Sequence, residues 1–67
     1  MINIRLFNQI PISDGYYIMK FNQMGGIHLA LITTFLDGER KFIVYTDEYN
    51  FDEKQWFSDK LNIMENV

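Results

Sequence analysis

His28 is the one histidine in a chain of 67 residues, and so the one side chain whose charge ordinarily changes near neutral pH. Catalysis through it needs a nucleophile or an orienting carboxylate at its side. The chain offers two serines, Ser13 and Ser58, and neither lies in a Gly-x-Ser-x-Gly elbow. Gly25-Gly26 lacks the Lys-Ser/Thr continuation of a phosphate loop and leads into a strand pattern, so it reads as turn chemistry. With no cysteine and a single histidine, the nitrogen and sulfur shell of a zinc site cannot be assembled, and no Asp/Asn ladder of the calcium-loop type is present. No catalytic residue, metal site or cofactor is expected.

The densest chemical group is acidic. Asp47, Glu48, Asp52 and Glu53, with Asp59 beyond them, belong to a last third in which six acids face two cations, whereas residues 1–46 hold four cations against three acids. Two readings fit. Acids at a helix start are stabilising in their own right, by a few tenths to about 1 kcal/mol; alternatively they form a decoy that imitates nucleic-acid phosphate and blocks a nucleic-acid-binding protein. Direct binding of nucleic acid is disfavoured, because Arg5, Lys20, Arg40 and Lys41 are scattered and make no basic patch.

The elements that must position these residues read as an α+β domain over 1–67: a four-stranded antiparallel meander, about 2–7, 16–22, 27–36 and 39–46, and an amphipathic helix, about 51–66, packed on one face. Asp37-Gly38 between two β-prone runs suits a two-residue type I′ turn. That turn pairs Leu36 with Glu39, Thr33 with Phe42, Ile32 with Ile43, Leu31 with Val44 and Ala30 with Tyr45. Leu29, Leu31, Thr33, Phe35, Phe42 and Val44 then share the core face, and an odd loop through Asn22–Gly26 adds Tyr17, Met19 and Phe21. The first strand, which Asn8–Gly15 connects to the second, belongs at a sheet edge. The helix rests on Asn50 as N-cap with Glu53 as its capping-box partner, and on an apolar arc of Trp56, Phe57, Leu61, Ile63, Met64 and Val67.

This arrangement leaves Tyr16, Ile18, Ala30, Ile32, Ile43 and Tyr45 together on the outer face, rimmed by Lys20, His28, Lys41 and Glu39. A sheet covered on one side should be solvated on the other. An apolar centre with aromatic members and a charged rim is how interaction patches are composed; the alternative is cover from within the chain, by the first strand, the Asn8–Gly15 loop or a strong curl of the sheet. A domain of this length buries only about 60% of the surface of its unfolded chain, and without disulfides or metal its supplement is contact with another protein or a second copy. The absence of cysteine, of a basic-then-apolar leader and of a bilayer-length apolar run fits a cytoplasmic protein outside the membrane.

The run Pro11-Ile12-Ser13-Asp14-Gly15-Tyr16-Tyr17-Ile18-Met19-Lys20 resembles the Pro-x-x-Asp-Gly-Tyr-Tyr openings of small bacteriophage and prophage accessory proteins. It covers about ten residues and brings no functional residue with it. What it implies is a short non-catalytic protein that binds a host factor as an inhibitor or adaptor.

Overall fold

Alternation of large apolar residues at every second position sets the architecture. In Gly15–Lys20 (β1) Tyr17 and Met19 point to one side, in His28–Thr34 (β2) Ala30 and Ile32, and in Arg40–Val44 (β3) Phe42 and Val44. Two short strands follow, Asp47–Tyr49 (β4) and Trp56–Phe57 (β5). The computed structural model describes residues 4–62. Among them the five strands form one antiparallel sheet in the order β4-β3-β2-β1-β5, so the last strand returns to pair with the first.

The fold is therefore all-β, and the expected helix over 51–66 is overturned. Residues 51–62 contain a turn and β5 but no helix, and 63–67 lie outside the described residues. The physical reason is long-range pairing: Trp56 and Phe57 complete the ladder along the free edge of β1, and Phe57 joins the core against Phe42.

The crossing from β4 to β5 is held by the side chains of Gln55, Asp52 and Asn8, of which Asp52 was expected at a helix start. Buried Gln55 accepts a bond from the Asp52 amide (3.0 Å) and donates to the Asn50 carbonyl (3.1 Å). Asp52 accepts from the Lys54 amide (2.8 Å), and Asn8 donates to the carbonyls of Glu53 and Gln55 (2.9 and 2.8 Å). Of the expected first strand, the described residues keep a bridge in which Phe7 exchanges both backbone bonds with Phe57 along the outer edge of β5. Residues 1–3 lie outside the description.

The hairpin between β2 and β3 corrects the expected register. Phe35 donates to the Glu39 carbonyl (2.9 Å) and Gly38 to the Phe35 carbonyl (2.8 Å), so the loop is the three residues Leu36-Asp37-Gly38. Gly38 alone there takes a positive φ, 85°, as the residue after a type I turn does in three-residue hairpins. Asp37 steadies the loop by accepting from the Glu39 amide (2.9 Å). The register becomes Ile32 opposite Phe42 and Leu31 opposite Ile43. A slip of one residue turns a strand over. Ala30 and Ile32 accordingly go to the core, fully buried, and Leu29 and Leu31 go outside.

The connection between β1 and β2 changes parity as well. Tyr17 lies opposite Ala30 and Met19 opposite His28, which leaves an even stretch between them, where Asn22 accepts bonds from the amides of Gly25 and Met24 (both 3.0 Å). The two changes cancel across β2. Tyr17, Met19, Phe42 and Val44 thus share the core face as expected, joined by Ala30, Ile32 and Phe57. Phe42 is the hub: its ring lies 5.2–5.8 Å from those of Phe21, Tyr49, Phe51 and Phe57. Such pairs contribute about 0.5–1.5 kcal/mol each beyond area burial.

Candidate protein-binding face

The far side of the sheet is built by the residues between the core positions. Leu31 lies across from Tyr16 on one flank and Ile43 on the other, and Leu29 lies across from Ile18. Lys20 pairs with Trp56 at the β5 end, and Glu48 of β4 lies opposite Ile43. These cross-strand rows pack against one another, so Tyr16, Ile18, Leu31 and Ile43 are half-buried while Leu29 remains 51% exposed. No described strand packs over them. An open hollow of 410 Å³ runs across this face, lined among others by Tyr16, Ile27, Leu29, Leu31, Ile43 and Tyr45.

Tyr45 is not on a strand. It is the first residue of the two-residue turn between β3 and β4, with φ at 57° and the residue 90% exposed. A side chain in this left-handed region costs about 1–2 kcal/mol, and Gly or Asn is the usual occupant.

Of the six residues expected on this face, Tyr16, Ile18 and Ile43 are there and Tyr45 stands at its end. Ala30 and Ile32 are not: both are core residues with no exposure. Leu29 and Leu31 take their places, and Ile27 and Trp56 extend the apolar surface. The missed signal was in the turn, since Leu36-Asp37-Gly38 also fits a three-residue loop with glycine at the left-handed position. Strand β2 itself could not reveal it, being apolar on both parities.

The five acids do not form one surface. Asp47 and Glu48 are on edge strand β4, where Glu48 comes 3.9 Å from Lys41; Asp52 and Glu53 sit in the crossing; Asp59 follows β5 at the opposite edge. Among the described residues no three His, Cys, Asp or Glu side chains come together as a metal-holding group. His28 packs its ring edge-on to Phe21, 5.2 Å between centroids, beside the hollow.

A polar cluster on the core side ties down the 8–14 segment. Arg40 donates to the Pro11 carbonyl (2.8 Å) and the Asp14 carboxylate (3.3 Å), and its guanidinium lies over the Phe51 ring. Thr34 donates to Asp14 (2.8 Å). The Thr34 hydroxyl, and then the Arg40 guanidinium, hold the Asp14 carboxyl below the ordinary carboxylate value against an opposing effect of desolvation. Directly after β5, Ser58 replaces a regular ladder contact: its amide donates to the Ile18 carbonyl (2.8 Å) while its hydroxyl accepts from the Ile18 amide (3.0 Å). No helix among the described residues is long and apolar enough to cross a membrane.

The fold and this face define an all-β domain with one side of its sheet left apolar. No protein-family model, curated protein or solved structure matches the chain.

Proposed function

We propose that this chain is a non-catalytic protein-binding module that holds its partner on the outer sheet face, of the inhibitor or adaptor kind that the phage-like segment implies. The observation that supports this reading is the row Tyr16–Leu31–Ile43, flanked by Ile18 and Leu29, on a face that no described strand covers. Apolar surface of this kind, rimmed by Lys20, Lys41 and Glu48, is costly to leave in water and gains most when another molecule removes it.

The test is to select binders from a displayed library of random ten-residue peptides against the immobilised protein, and to map them by amide chemical shifts. Binders are expected to move the amides of Tyr16, Ile18, Leu29, Leu31 and Ile43 and to be lost on Leu31→Glu. Binders that instead move Asp47, Glu48, Asp52 and Glu53, and weaken steeply with salt, would overturn the reading in favour of an acidic decoy.

A further inference from the structure

Resting on that reading, we infer that the occupant of the outer face is a short, uncharged, proline-rich segment in the polyproline II conformation, held across the sheet between Tyr16 and Tyr45. The size of the surface selects a segment over a folded partner. Its apolar centre spans three strands and two side-chain rows, a footprint of about 200 Å². A stable dimer or standard complex takes about 800 Å² from each side, a little over half of it apolar, so a second copy needs more apolar surface than this centre holds. The hollow of 410 Å³ falls within the roughly 300–1,000 Å³ range of sites that enclose small ligands.

Charge selects the chemistry. No Asp, Glu, Lys or Arg lines the hollow, so a charged side chain entering it loses hydration with nothing in return. Topology selects the conformation. Both edges of β2 are already paired, with β1 and β3, so the floor of the hollow offers no free ladder to which a β-strand could add. Polyproline II needs no ladder: its backbone is open and its ring faces pack on aromatic side chains. Tyr16 and Tyr45 supply such faces, each with a polar tip. The Tyr17 hydroxyl on the core side is committed to Ser13, whereas those of Tyr16 and Tyr45 have no partner among the described residues and can donate to a ligand's carbonyls. Tyr45 is the sharpest pointer, since a tyrosine 90% exposed is kept at a left-handed turn position that glycine would fill more comfortably.

The displayed library tests this through the sequences it returns. Binders are expected to carry proline at spaced positions and few charges, and Tyr45→Gly, which suits the turn backbone and keeps the fold, is expected to weaken them about tenfold or more. Binders that move the outer-face amides yet lack proline, or that hold Tyr45→Gly undiminished, would overturn this inference and leave the binding face standing. A wild-type protein that dimerises through this face at micromolar concentration would overturn it in favour of a second copy. Binders that leave the outer-face amides unmoved would remove both.

Discussion

Leu31 lies directly across the sheet from Tyr16, and its neighbour Ile32 lies across from Gly15 with no exposure at all. The two consecutive residues therefore have opposite duties, one open to a partner and one in the core. Ile32→Ala is expected to cost about 2–5 kcal/mol through lost burial and the cavity left behind. Leu31→Ala is expected to cost about 1 kcal/mol or less, since a half-buried side chain leaves no closed cavity. Urea denaturation of the two variants measures the contrast, and equal losses would contradict the register.

Gly38 tests the hairpin from which that register follows. A Cβ placed there meets nothing within 4 Å, so the effect of substitution lies in the backbone alone. Gly38→Val is expected to destabilise by about 1–2 kcal/mol and Gly38→Asn by much less, because Asn tolerates the left-handed region. Thermal melts of both variants check this.

These positions also show what was legible in the sequence. The spans of β1, β2 and β3 follow from alternation, and Tyr17, Met19, Phe42 and Val44 read correctly as core. The faces of β2 did not, because Leu29 and Leu31 on one parity and Ala30 and Ile32 on the other are equally apolar, and only the turn geometry separates them. The helix misled for a different reason. Asn50, Asp52 and Glu53 have the residue types of a helix start, but Phe57 is drawn to the free edge of β1, and that long-range pairing outweighs a local preference weakened by Trp56, Phe57, Ser58, Asp59 and Asn62. Of the binding face, Tyr16, Ile18 and Ile43 were readable, and Leu29 and Leu31 waited on the register.

Tyr45→Gly is expected to raise stability by about 1 kcal/mol as it removes the left-handed strain. The same substitution is expected to weaken binding. Opposite signs in a denaturation curve and a binding titration would show a residue kept for function against the preference of the turn.

Gln55 holds the crossing by two backbone bonds from a buried position. Gln55→Leu keeps the volume but leaves the Asp52 amide and Asn50 carbonyl without these partners, and is expected to cost about 1–3 kcal/mol. Hydrogen exchange at the Asp52 amide should quicken in the variant.

Asp14 sets an acid limb to stability. Its folded pKa lies below the unfolded value, so its contribution is complete above the unfolded carboxylate pKa of about 3.9 and is lost as pH falls through the lowered folded value. Asp14→Asn is expected to flatten the fall of the urea midpoint in that acid range and to leave its shape above pH 5 unchanged.

The central claim is that the face carrying Tyr16, Ile18, Leu29, Leu31 and Ile43 binds and the opposite face folds. It is tested most directly by the double variant Leu31→Glu with Ile43→Glu, titrated with peptides selected on the wild-type protein. The expected result is a cooperative urea transition alongside binding lost by a factor of about one hundred or more, since two charges would stand in the middle of the contact. Unchanged affinity in a folded double variant would contradict the account.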